Sequence, residues 1–172
     1  MLDAASWRET YFVQCFPNAQ GIEKREGGIG MDKIKRLILL HVPSATCNLK
    51  CKYCYIAMQN RWASELPRFD HTAQEVGKAL SKERLGGVCF INMCASGETL
   101  LSREMIDYIK AILEQGHYSE VVTNGTVSKR FDEIVQLPAD MLERLTFKFS
   151  FHYLELKRLD IFNRFFENIR KV

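Results

Sequence analysis

Four times between residues 34 and 172, an apolar run of strand length gives way to a loop and then to apolar residues at helical spacing. The first unit runs from Ile34 to Val42, passes through Pro43 into a loop, and continues as a helix capped by Asp70 with Ala73, Val76 and Leu80 on one face, ending near Gly86-Gly87. The second has a strand over Val88–Met93, a loop over Cys94–Leu101 and a helix over Ser102–Gln115. In the third, a strand over Glu120–Thr123 meets Asn124-Gly125, and a helical stretch with Phe131, Ile134 and Val135 breaks at Pro138. In the fourth, a strand over Leu145–Phe151 precedes Leu156, Leu159, Phe162, Phe166 and Ile169 at helical spacing. Strands alternating with helices imply an α/β fold of parallel strands joined by right-handed crossovers. Periodicity leaves two architectures, an open doubly wound sheet and part of a (β/α) barrel. A closed eight-unit barrel takes about 250 residues, so four units would form an arc whose last strand has an unpaired edge. That arc implies a fragment, or a protein that borrows a partner for its edge.

Residues 1–33 read as an N-terminal extension and linker, with a helix from about Asp3 to Phe16 and a Gly-rich stretch over Gly21–Gly30. The 47% hydrophobic content suits one globular domain. The 24 basic and 21 acidic residues are interspersed, so no basic field of the kind that grips nucleic acid is expected. The apolar run Leu37–Val42 is far short of the roughly 18–20 residues that span a bilayer, which argues against a membrane partner. Met1-Leu2-Asp3-Ala4-Ala5 has no basic region followed by an apolar one, so no secretory signal is read and a cytoplasmic location is expected.

Six cysteines would suit a disulfide framework in a short secreted chain. Here Cys47, Cys51 and Cys54 share one eight-residue stretch, whereas Cys15, Cys89 and Cys94 are scattered among apolar neighbours, and a reducing compartment favours metal ligation. Three close thiols in one loop can wrap an iron–sulfur cube, and three ligands for four irons leave one iron open to a small molecule. Structural zinc stays open as an alternative, with Cys94, His41 or His71 recruited as a further ligand. Cys89 and Cys94 read as buried, inert thiols, with Cys94 also a candidate ligand or substrate-site thiol.

The spacing CxxxCxxC with an aromatic, Tyr53, before the last cysteine resembles the signature of the radical S-adenosylmethionine (radical SAM) superfamily. The resemblance extends to Ser96-Gly97-Glu98 after the second strand, where the family has Gly-Gly-Glu, to Thr123-Asn124-Gly125 after the third, and to Ser150 in the fourth. It implies that Cys47, Cys51 and Cys54 hold a 4Fe-4S cluster whose open iron is chelated by S-adenosyl-L-methionine. Tyr53, Ser96, Gly97, Glu98, Thr123, Asn124 and Ser150 would then be cofactor neighbours. Gly97 suits close backbone approach, Glu98 can answer an ammonium, and Ser96 departs from a glycine that would accept φ > 0. In Phe147-Lys148-Phe149-Ser150-Phe151-His152 the alternation sets Lys148, Ser150 and His152 opposite the phenylalanines, facing a barrel interior if the phenylalanines pack under helices. His152 reads as a structural histidine or a substrate contact. Each motif falls at the carboxyl end of its own strand, the edge where parallel α/β folds build their sites.

The resemblance thus implies a partial TIM-like (β/α) barrel of about four parallel βα units over residues 34–172. The family barrel generally has six, so this would be the N-terminal part, and turnover by this chain alone is not expected. The implied chemistry is one-electron cleavage of S-adenosyl-L-methionine to a 5′-deoxyadenosyl radical that abstracts hydrogen from a substrate, with an electron donor such as flavodoxin or ferredoxin. The arrangement is similar to the branch that modifies peptides and proteins, such as sulfatase-maturing enzymes, so a peptide is a candidate and the substrate itself is unidentified. Two alternatives stand beside this: a zinc-stabilised binding module, and a catalytically idle cluster-binding fragment.

Overall fold

The computed structural model describes residues 10–15 and 33–172. Its elements are β1 (Thr10–Cys15), β2 (Leu37–Val42), α1 (Tyr55–Met58), α2 (Ala73–Ala79), α3 (Lys82–Leu85), β3 (Phe90–Ala95), α4 (Glu104–Glu114), β4 (Tyr118–Thr123), α5 (Ser128–Ile134), α6 (Ala139–Leu142), β5 (Leu145–His152), α7 (Tyr153–Leu159) and α8 (Phe162–Lys171). One five-stranded sheet has the order β1-β5-β4-β3-β2. The strands β2 to β5 are parallel neighbours, as four consecutive βα units require.

The strand period of two decides which face carries the core. Ile91 and Met93 of β3, Val121 of β4, and Phe147 and Phe149 of β5 are buried in one cluster with Met105, Ile109, Ile112 and Leu113 of α4. Phe131 of α5 stacks on Phe149 with centroids 5.7 Å apart, and Phe165 of α8 meets Phe149 edge-on at 5.9 Å. Helix α2 lies against α4 at Gly77, where a Cβ would come within 3.0 Å of the Ala111 carbonyl oxygen. The phenylalanines of β5 therefore do pack under helices. The opposite face of the sheet is polar at its centre, with the Asn92 amide donating to Glu120 Oε1 at 2.5 Å.

Several expectations are corrected. The helix expected over Asp3–Phe16 is a strand where it is described: β1 runs antiparallel to β5, from Thr10 opposite His152 to Cys15 opposite Phe147. Thr10-Tyr11-Phe12-Val13 is β-branched and aromatic, and the outer edge of β5 offers a full ladder of hydrogen bonds. The edge expected to be unpaired is thus covered by the chain's own extension. The Gly21–Gly30 stretch lies outside the described residues. Thr72, not Asp70, caps α2, because Thr72 and Glu75 complete a reciprocal capping box. The single helices expected in units one and four are each two helices. Ser81 starts α3, and Asp160, at φ 53°, separates α7 from α8.

Candidate functional site

Cys47, Cys51 and Cys54 lie in the loop between β2 and α1, where the resemblance puts a cluster loop. Leu49, 1% exposed, and Ile56, 2% exposed, anchor this loop in the interior. The Cys54 amide donates to the Cys51 carbonyl at 3.1 Å, and Cys54 leads directly into α1, whose Met58 amide returns to the Cys54 carbonyl at 2.9 Å.

Each of the three following strand-to-helix connections, the last being the direct junction of β5 with α7, is hydrogen-bonded to this loop. After β3, the Gly97 and Glu98 amides donate to the Ser44 and Thr46 carbonyls at 2.6 and 2.9 Å. After β4, the Asn124 amide group donates to Asn48 Oδ1 at 2.9 Å, and Asn48 Nδ2 donates to Thr126 Oγ1 at 2.7 Å. After β5, Glu155 Oε1 accepts from the Lys50 amide at 3.0 Å, and the Tyr53 hydroxyl and His152 Nδ1 are 2.9 Å apart. Backbone polar groups in a partly buried loop need partners, and these come from sequence positions up to 105 residues away.

The cysteine loop, the loops after β3 and β4, and the β5–α7 junction surround a cavity of about 660 Å³ at the carboxyl edge of the sheet. All the residues expected to touch cluster or cofactor line it: Cys47, Cys51, Cys54, Tyr53, Ser96, Gly97, Glu98, Thr123, Asn124 and Ser150. His152 lines it too, whereas Cys89 is fully buried in the core and Cys94 is absent from its wall. Cys94 faces His41 across the β2–β3 ladder.

Ser96 does not need left-handed backbone: the described non-glycine residues with positive φ are Asn60 and Asp160. Its hydroxyl lies 3.2 Å from His41 Nε2. Gly97 makes a close approach, and its neighbour is the chain itself. A Cβ there would lie 2.6 Å from the Thr46 carbonyl carbon and 2.8 Å from its amide nitrogen. Glu98 lines the cavity and is 2% exposed. Its Oε1 accepts from Thr123 Oγ1 at 2.5 Å and the Leu100 amide at 2.9 Å, and its Oε2 accepts from the Asn124 amide at 2.7 Å. Burial raises its carboxyl above the ordinary value, and these three donors pull it back in part. The carboxylate thereby joins the loops after β3 and β4. Glu98→Gln keeps the shape but sets an NH₂ against the Asn124 N–H. It is expected to cost about 1–2 kcal/mol, read as a lower urea midpoint at unchanged slope.

Burial dominates at Cys47 and Cys51. It pushes Cys47 up to about 11, against hydrogen bonds from the Leu49 amide at 3.4 Å and Asn124 Nδ2 at 3.6 Å. It pushes Cys51 up to about 12, with the Glu155 charge adding to the rise. Without a cation both are neutral thiols at pH 8, and a bound metal would displace their protons. Cys51 in the cluster-free protein is therefore expected to alkylate at least about tenfold more slowly at pH 8 than in urea. Its rate should keep climbing toward pH 11, past the ordinary thiol range, in a mass-spectrometric time course.

A 4Fe-4S group fits this wall: three thiols open on one cavity large enough for a cube plus a small molecule, and N–H donors already point at Cys47 Sγ. Among the described residues, no three His, Cys, Asp or Glu side chains converge closely enough for a single ion. Asn48, Thr126 and Glu155 were not picked out by the motifs. An Asn-Gly-Thr turn, in which Asn124 Oδ1 accepts from both the amide and hydroxyl of Thr126, hints at the second. Glu155 and Arg158 at i, i+3 hint at the third.

The fold and site define an α/β arc with a three-thiol loop at its active edge. The Radical SAM superfamily model matches residues 41–167, and the chain belongs to that superfamily. It is 28% identical over 94 residues to a 7-carboxy-7-deazaguanine synthase of Thermoplasma acidophilum, covering 55% of this chain and 41% of that protein. The match thus spans about two-fifths of that relative's length. No solved structure matches. Membership does not favour a zinc-stabilised module. Among the described residues no helix is long and apolar enough to cross a membrane.

Proposed function

We propose that this chain carries the cluster- and cofactor-binding part of a radical SAM enzyme, with Cys47, Cys51 and Cys54 as the ligands of a 4Fe-4S cluster and S-adenosyl-L-methionine at its open iron. The observation that carries the reading is that these thiols and the motif residues at three further strand ends line one cavity. A cluster held by Cys47, Cys51 and Cys54, once reduced, would supply one electron for reductive cleavage of the S-adenosyl-L-methionine sulfonium to methionine and a 5′-deoxyadenosyl radical, the species that would abstract hydrogen from the substrate.

The chain's own residues have distinct parts in this. Tyr53 and Ser150 supply the aromatic and hydroxyl surfaces of the cofactor wall. The Ser96-Gly97 segment offers backbone to the cofactor's methionine end, while Glu98 and Thr123 hold that segment against the loop after β4. Asn124 orders the cysteine loop through Asn48 and donates toward Cys47 Sγ. An electron donor such as flavodoxin or ferredoxin completes the partner set.

Two substrate readings stand. The sequence resemblance suggests a peptide, and the Thermoplasma relative's name suggests a small heterocycle. Anaerobic reconstitution with iron and sulfide, reduction with dithionite and addition of S-adenosyl-L-methionine should give a brown protein with about four irons that forms methionine and 5′-deoxyadenosine. Brown protein without 5′-deoxyadenosine would leave the catalytically idle fragment, and colourless, zinc-loaded protein would remove the cluster as well. Faster 5′-deoxyadenosine formation with a peptide pool or with a deazapurine precursor pool decides between the substrates.

A further inference from the structure

Lys50 sits immediately before Cys51, and its amide is tied to a carboxylate from the far side of the arc. Glu155, in α7, is 5% exposed, and its Oε1 accepts from Lys50 N at 3.0 Å. Arg158, one turn on, clamps the same carboxylate at both oxygens: its NH2 nitrogen donates to Oε1 at 2.6 Å and its Nε to Oε2 at 3.1 Å. Glu155 is therefore a nearly buried charge whose Oε1 is shared by the cysteine loop and a guanidinium that is itself about half exposed, and whose Oε2 is held by the guanidinium. Arg158 foremost, with the Lys50 amide, holds the Glu155 carboxyl below its ordinary value, so the charge persists across neutral pH.

Removing Arg158 leaves the nearly buried Glu155 charge uncompensated in a low-dielectric setting, where a fixed charge acts strongly on its neighbours. The reduction potential of an iron–sulfur cluster follows the net charge and hydrogen bonding around its thiolates. Resting on the cluster reading above, we propose that Glu155 and Arg158 form a positioning and redox-tuning pair for the cysteine loop: Glu155 holds the loop through Lys50 and biases the cluster against accepting an electron, and Arg158 offsets that bias. Reduction adds negative charge to the cluster. Losing the carboxylate charge must then ease it, and losing the guanidinium must hinder it.

The test is an EPR-monitored redox titration of the reconstituted full chain without S-adenosyl-L-methionine, with iron content measured in parallel. Glu155→Gln, which keeps an oxygen for Lys50, is expected to shift the midpoint to less negative potential. Arg158→Gln is expected to shift it to more negative potential, and Arg158→Lys to restore it. Both glutamine variants should keep the wild-type iron content. A purely structural clamp would lower iron content in both and move the potentials in no opposed way. Equal or same-signed shifts in a cluster-loaded protein overturn the proposal and leave the cluster reading intact. Wild-type protein that takes up no cluster overturns both. Should Glu155→Gln fail to fold, the Arg158 variants, at an exposed position, decide alone: a shift that Lys does not reverse rejects charge tuning.

Discussion

Cys51→Ala is expected to yield a folded but colourless protein after anaerobic reconstitution, with iron content falling from about four to below about one per chain and 5′-deoxyadenosine formation lost. The loss should be near total because the remaining two thiols cannot satisfy three irons. Cys51 is also, of the three proposed ligands, the one whose setting is most built. It is 5% exposed, its carbonyl receives the Cys54 amide, and its predecessor is held by Glu155. The fold should survive. The side chain lost is small, and in the cluster-free protein the thiol is neutral, so alanine removes no charge. Far-ultraviolet circular dichroism and urea unfolding of the cluster-free variant should stay within about 1.5 kcal/mol of the wild type. A Cys51→Ala protein that still binds four irons would show that the ligand assignment is wrong.

The second large effect is expected from Gly97→Ala. Its Cβ would enter the backbone of Thr46, at 2.6 Å from the carbonyl carbon, and backbone has no rotamer through which to move aside. The two hydrogen bonds that join the loops, from Gly97 to Ser44 and Glu98 to Thr46, are made at the same point. The loops must therefore separate. A cost of about 3 kcal/mol is expected, together with reduced cluster uptake, because the cysteine loop is displaced. Gly86→Ala is the control. Gly86 has φ +73° but nothing within 4 Å of its Cβ position, so only backbone strain of about 1 kcal/mol applies. Cluster uptake there should be unchanged. If the two variants lose equal stability and Gly97→Ala keeps full iron content, close loop approach is not what Gly97 provides.

The two variants also mark where sequence reasoning succeeded and where it could not. The three thiols announced themselves because their spacing is local: eight consecutive residues suffice to state it. Strand and helix periods are local too, and for that reason β3, β4, α4 and β5 lie close to where the pattern puts them. Element ends moved by a few residues, because caps such as Thr72 with Glu75 compete with equally good neighbours such as Asp70. Gly97 was legible as a position needing close approach, but its neighbour was not. The motif suggested a ligand, and the tertiary structure supplied Thr46. Glu98 was legible as a carboxylate at the site; that it also joins two loops, through the donors of Leu100, Thr123 and Asn124, was not.

The extension shows the same limit from the other direction. Residues 10–15 carry an ambiguous local signal, and the open edge of β5, more than 130 residues later in the chain, settles it as a strand. Such a choice depends on hydrogen-bond donors and acceptors left vacant elsewhere, which no window of sequence contains.

By itself, then, the sequence determined the α/β alternation, the three-thiol loop and the edge of the sheet on which chemistry would sit, since each is written in spacings of two to eight residues. Only the tertiary structure decided that the loops after β3 and β4 and the β5–α7 junction all clasp the cysteine loop, that β1 closes one side of the sheet, and that Glu155 with Arg158 stands behind Lys50. Those contacts join residues as distant in sequence as Lys50 and Glu155 or Thr10 and His152, and their energies come from burial and directional hydrogen bonding that exist only once the chain has folded.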